Sequence, residues 1–204
     1  AILYGIDARS EKEIEYLTSY YGSEKIKKIF GRPMNSGDIA GKILWIKNNE
    51  PEVYRKTYKF LTGTSYIVAK LTGNYCIDRY LAYASFRPMY RMDGRIDTEM
   101  CHPICSPEQL AEAKTVTDIA GFVTPQAAAK TGLKAGTPVI TGTGDSCAEA
   151  ISSGVVKPGN MMIQFGSTLF INFCTAHLVE DDRVKGTTFT VPGTYVVSAG
   201  TNTA

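Results

Sequence analysis

Two short loops in this 204-residue chain carry the side chains best suited to chemistry. The first is Gly142-Thr143-Gly144-Asp145. It follows an apolar run, Thr137-Pro138-Val139-Ile140-Thr141, which reads as a buried strand. It precedes a helix-forming stretch from Ser146 to about Ser153. A carboxylate at the carboxyl end of a strand, beside a helix N-terminus, sits where open α/β sheets bind their ligands. Glycines on both sides of Thr143 let a substrate or another loop approach the backbone closely. There Asp145 can act as a general base, taking a proton from a hydroxyl within hydrogen-bond reach. Asp at such a place is also a good helix N-cap, and taken alone the cap is the commoner role.

The second loop is Gln164-Phe165-Gly166-Ser167-Thr168-Leu169, between two apolar runs. Backbone N–H groups around a glycine, with two hydroxyls, form a concavity that suits phosphate. A plain β-hairpin turn has the same composition. It is not a phosphate-binding loop of the Gly-Lys-Ser/Thr type. The two loops are about twenty residues apart. A domain boundary read near Val155–Asn160 separates them, so they can face each other across a cleft.

The elements that must hold these loops follow from pattern. Ser10 with Glu13 reads as a capping box, opening a helix whose apolar face is Ile14 and Leu17. Gly22-Ser23 ends it and starts a short helix through Phe30. Asp38 opens a helix with Ile39, Ile43, Leu44 and Ile46 as its stripe and Lys42, Lys47 and Asn48 at polar positions. Pro51 starts another, and Thr64 to Leu71 is helical up to Thr72-Gly73-Asn74. The Tyr-, Phe- and Met-rich stretch from Cys76 to Cys105 reads as core and loop packing. Ser106-Pro107-Glu108 is a helix start, and Pro125 opens a short helix. From Met161 onward, apolar and β-branched runs separated by turns (161–165, 169–174, 187–191, 195–198) read as an antiparallel meander.

Composition narrows the classes. With 22 Lys and Arg against 20 Asp and Glu, the net charge is +2, which is no footprint for nucleic acid or an anionic membrane. No apolar run reaches the ~20 residues of a bilayer span. Five scattered cysteines in a chain of this size read as reduced thiols, and hence as a cytoplasmic protein. The closest pair, Cys101 and Cys105, has too few companion ligands for zinc. It reads as loop residues with a buried thiol, and no metal site is expected.

Several ordered motifs together resemble the FGGY carbohydrate kinases, especially their xylulokinase-like branch. They are Thr131 through Asp145, Gly154-Val155-Val156-Lys157-Pro158-Gly159, and Phe165-Gly166-Ser167-Thr168. Upstream, Gly37 to Asn49 is similar to the family's first signature, with Lys42 and Trp45 as its Lys-x-x-Trp. Ile39 stands there where a Pro, Ser or Thr is usual. Asp7-Ala8-Arg9 is similar to an Asp-x-Arg segment, and Leu71-Thr72-Gly73 with Asp78 to the next stretch. The resemblance covers essentially the whole chain.

The resemblance implies an α/β fold of ribonuclease H-like (actin-like ATPase) domains. Residues 1–157 would be the later part of a sugar-binding domain. Residues 158–204 would open the sheet of a nucleotide-binding domain. By the same resemblance Asp145 is the general base on a sugar hydroxyl, and Ser146 touches the sugar. Gly166, Ser167 and Thr168 hold the ATP phosphates, in a Gly-Ser-Thr order where Gly-Thr-Ser is usual, and Gly200 lies near the nucleotide. ATP and Mg²⁺ are the implied cofactors, a ketopentose such as xylulose the substrate, and a homodimer one assembly. The family's Asp-x-Gly-Thr loop does not occur in this sequence. The chain is therefore expected to be an internal piece, inactive alone. The alternative is a non-catalytic relative that binds or senses a sugar.

Overall fold

The structure, a computed structural model, describes residues 7–166, 169–181, 184 and 186–201. In chain order the helices are α1 (Glu11–Tyr21), α2 (Ser23–Phe30), α3 (Ile39–Asn49), α4 (Pro51–Lys56) and α5 (Gly63–Thr72). Strand β1 (Cys76–Asp78), α6 (Arg79–Ser85), α7 (Thr98–Cys101), β2 (Glu112–Lys114), β3 (Ile119–Phe122), α8 (Pro125–Thr131) and β4 (Pro138–Ile140) follow. The last part holds α9 (Asp145–Ser152), β5 (Met161–Phe165), β6 (Leu169–Thr175), β7 (Gly186–Thr188) and β8 (Tyr195–Gly200). The described residues form two compact units, one from those up to 61 and those of 82–111, the other from those of 62–81 and those from 112 onward.

In the first unit α1 packs on α3, with Ile14, Leu17, Ile43 and Leu44 buried. The helices close up because position 41 has no side chain: a Cβ on Gly41 would sit 2.6 Å from the Ile14 Cδ1. The expected capping box does not form. Ser10 takes the N-cap with ψ of 21°, not the extended backbone that lets a cap hydroxyl reach the first turn, and its hydroxyl is buried without a partner. Glu13 instead turns inward and accepts from the side-chain amides of Asn48 and Asn49. Lys42, at one of the helix's polar positions, is buried. The helix expected from Ser106 is a single 3₁₀ turn, Pro107–Gln109. It cannot extend because other groups take its carbonyls: the Phe60 N–H bonds Gln109, and the Lys59 ammonium bonds Glu108 and Leu110. The stretch read as core packing is so, with Tyr83, Phe86, Met89, Tyr90 and Met100 buried. Cys101 and Cys105 lie in that core, the latter 3.5 Å from the Met89 sulfur.

In the second unit β1 and β2 pair in parallel, and β3 and β4 form an antiparallel ribbon. Val139 of β4 packs on Val68, Cys76 and Ala120. The strand read as buried is otherwise open, with Ile140 52% exposed. Side chains alternate along a strand, so with Val139 turned to that core its neighbours Pro138 and Ile140 point the other way and stay exposed. The remaining strands make one antiparallel sheet, ordered β5-β6-β8-β7. It is not a meander in chain order, because β8 inserts between β6 and β7. Helix α9 contributes Cys147 and Ala150 to a core shared with Val155, Met162, Cys174, Phe189 and Val196.

Candidate functional site

The loop Gly142-Thr143-Gly144 turns the chain from β4 into α9. Gly142 needs its glycine for conformation, with φ at +70°. Gly144 needs it for space, since a Cβ would lie 3.0 Å from the Leu81 Cδ2. These glycines let the loop press against its own neighbours. The Thr64 hydroxyl donates to the Thr143 carbonyl at 2.9 Å, and the Thr143 and Thr190 hydroxyls pair at 3.2 Å.

Asp145 opens α9 as its first helical residue. Gly144 is the N-cap and no side chain caps the helix. The capping role open to Asp145 is thus not the one it takes. Its side chain is exposed, and one carboxylate oxygen accepts from the Ser146 N–H at 2.9 Å. Negative charge is favoured there by the helix dipole. Ser146 is half-buried, and its carbonyl accepts from the Asn172 side-chain amide at 3.2 Å. Asn172, wholly buried in β6, accepts in turn from the Ser198 hydroxyl of β8 at 2.6 Å.

That sheet brings the expected phosphate-binding glycines together. Phe165, just before Gly166, pairs with Leu169, while Gly200 pairs with Phe170 and the Thr201 N–H bonds the Leu169 carbonyl. The ends of β5 and β8 therefore flank the start of β6. Ser167 and Thr168, the hydroxyls expected there, lie outside the described residues. Strand ends whose glycines carry no side chain fit an anion held by backbone N–H groups. Gly200 also has a packing reason, because a Cβ would meet the Phe170 ring at 3.0 Å. For Mg²⁺ no ligand set stands ready: among the described residues no three His, Cys, Asp or Glu gather.

Asp78 went unread as a site residue, although a carboxylate ending an apolar run is the signal. It is 2% exposed at the end of β1. Burial raises its pKa from 3.8 to about 6. The Leu81 and Tyr80 N–H groups, which donate to its Oδ1, and the nearby Thr143 hydroxyl offset this only in part. Oδ2 is buried with no hydrogen bond. A cavity of about 220 Å³ opens beside it, lined also by Arg79, Lys114, Thr188, Thr190 and Thr194. Asn172 was also unread, a polar residue inside an otherwise apolar strand.

In the first unit two motif segments meet. The Arg9 guanidinium stacks over the Trp45 ring at 4.1 Å and bonds Asp7 through two nitrogens. Arg9 holds the Asp7 carboxyl down at about 2, and buried Lys42 adds a smaller pull.

The chain has the α/β fold of the actin-like ATPases. It superposes on the crystal structure of xylulose kinase from Rhodospirillum rubrum with a TM-score of 0.84 at 26% identity, over 95% of this chain and 40% of that one. Residues 1–152 match the N-terminal domain of the FGGY family of carbohydrate kinases, and the chain belongs to that family. Among relatives, the xylulose kinase of Escherichia coli (strain K12) is 28% identical over 170 residues, 82% of this chain and 34% of that protein. The ribulokinase of Shouchella clausii (strain KSM-K16) is 31% identical over 162 residues, 76% of this chain and 28% of that protein. The chain thus spans about a third of the length of these relatives. Among the described residues no helix is long and apolar enough to cross a membrane.

Proposed function

We propose that the protein carrying these 204 residues phosphorylates a sugar with ATP, and that Asp145 is the general base. The observation that carries this is the placement of Asp145. Its carboxylate is exposed at the head of α9 rather than spent on capping, and its helix turn is bonded to the sheet that bears Gly166 and Gly200. ATP supplies the phosphoryl group as co-substrate, with Mg²⁺ accompanying its phosphates. Asp145 takes the proton of the attacking sugar hydroxyl as the new oxygen–phosphorus bond forms and ADP departs. Ser146 lies against the sugar. Gly166, Ser167, Thr168 and Gly200 hold the phosphates through backbone N–H groups and the two hydroxyls. Phosphoryl transfer needs mainly positioning and charge stabilisation, which this arrangement offers.

The names of the relatives make a ketopentose the first substrate to test, and the reading places the protein in the cytoplasm. The motif junction near 157/158 is read as the boundary between the sugar-binding and nucleotide-binding domains. The test is ADP release by the full-length protein over D-xylulose, D- and L-ribulose and common polyols. One ketose is expected to give sugar-dependent turnover, and the 204 residues alone none. Sugar binding with no turnover on any of these would overturn the kinase reading in favour of a sugar-binding relative.

A further inference from the structure

We infer that Asn172 is a positioning residue that fixes the first turn of α9, and with it the Asp145 carboxylate, against the sheet. The inference rests on the reading of Asp145 as the base. An amide in the middle of an apolar strand is costly to bury unless its hydrogen bonds are made. Asn172 is 0% exposed between Ile171 and Phe173, where an apolar residue would fill the space without that cost. Both ends of its amide are engaged, and their orientation is determined. The Ser146 carbonyl can only accept, so Nδ2 must face it, at 3.2 Å. Oδ1 then faces Ser198, whose hydroxyl donates at 2.6 Å. The chain of contacts runs from β8 through β6 to the residue next to Asp145.

Side-chain hydrogen bonds also link Ser146 to Tyr80, and Cys147 to Tyr80, Thr143 and Thr190. Cys147 and Ala150 pack into the core beneath the helix. The Asn172 bond adds a tie from the backbone of the turn that carries the carboxylate to the middle of the sheet. It also sets a distance. Asn172 is three residues along β6 from Leu169, roughly 10 Å at the rise of a strand. Leu169 sits between the ends of β5 and β8, where Gly166 and Gly200 lie. One amide therefore ties the carboxylate's turn to a strand that begins at the expected phosphate site. Misplacement of a reacting group by about 1 Å can cost on the order of 100-fold in rate.

The experiment is a cycle in the full-length protein with Asn172→Leu, Asp145→Asn and both, read as kcat, KM and melting temperature. Asn172→Leu is expected to lower kcat about 10- to 100-fold while leaving the KM for sugar and ATP within about 2-fold. In the Asp145→Asn background it is expected to lower residual turnover no further, because it acts through that carboxylate. Ser198→Ala, which frees the Asn172 amide to turn while leaving the apolar packing intact, should show the same non-additivity with a smaller loss. It serves as the probe if Asn172→Leu melts below the assay temperature. Wild-type kcat in both variants, or equal fold losses in both backgrounds, would overturn the inference while the base stands. Wild-type turnover by Asp145→Asn would instead remove the base, and the inference with it.

Discussion

Replacing Asp78 by Asn should make the protein more stable above neutral pH and should flatten its response to acid. Asp78 is buried at the end of β1, and its pKa rises from 3.8 to about 6, chiefly through burial. A carboxyl raised in the folded state is held more tightly as the acid. Its stabilising contribution is complete below about pH 4 and is lost as pH climbs through about 6. Two pKa units at about 1.4 kcal/mol each set the loss at about 3 kcal/mol. The Asn amide cannot ionise, and its oxygen can still accept from the Tyr80 and Leu81 N–H groups, so the variant escapes that loss. For a protein of this size 1 kcal/mol is roughly 2–4 °C, so the variant's melting temperature relative to wild type should rise by roughly 6–12 °C between pH 4 and pH 8. Thermal melts of both proteins across that range are the assay. An offset that stays constant with pH, or that shrinks as pH rises, would show that burial does not hold Asp78 as the acid.

The remaining expectations concern backbone and thiols. Gly73 ends α5 at φ of +79° with open space around it, so Gly73→Ala should cost about 1 kcal/mol through conformation alone. At Gly121 a Cβ would lie 2.6 Å from the Asn74 Nδ2, so Gly121→Ala should cost about 1–3 kcal/mol through a clash instead. Denaturant melts separate the two, and a Gly73→Ala variant as stable as wild type would contradict the first. All five cysteines are buried, and burial pushes the Cys147 thiol up to about 11. A thiol reagent at pH 8 should therefore modify none in the native protein and five after unfolding; fast labelling of Cys147 in the native state would contradict its burial.

Local order was the most legible part of this chain. Helix α3 could be read from its apolar stripe, and the end of α5 from Gly73, because these signals act within one turn. Strands β5, β6 and β8 could be read from their runs of apolar residues. Strands β2 and β3 could not: the first is three residues with charged ends, the second four residues broken by Gly121, and both are held by pairing with distant partners. The Ser10–Glu13 capping box misled because Glu13 finds side-chain amides on α3, a tertiary bond that outcompetes a local one. At the site, Asp145 and its glycines were visible as a motif. The placement of β8 between β6 and β7, and so the link from Ser198 through Asn172 to Ser146, depends on pairings 26 residues apart that no local pattern encodes.

The central claim is that Asp145 takes the proton in phosphoryl transfer to a sugar. Its most direct test compares wild-type and Asp145→Asn full-length protein for sugar-dependent ADP formation, with sugar affinity measured on the same samples. A fall in kcat of about 100-fold or more is expected, as loss of a general base gives, with sugar affinity largely retained. Turnover unchanged in the Asn variant would contradict it.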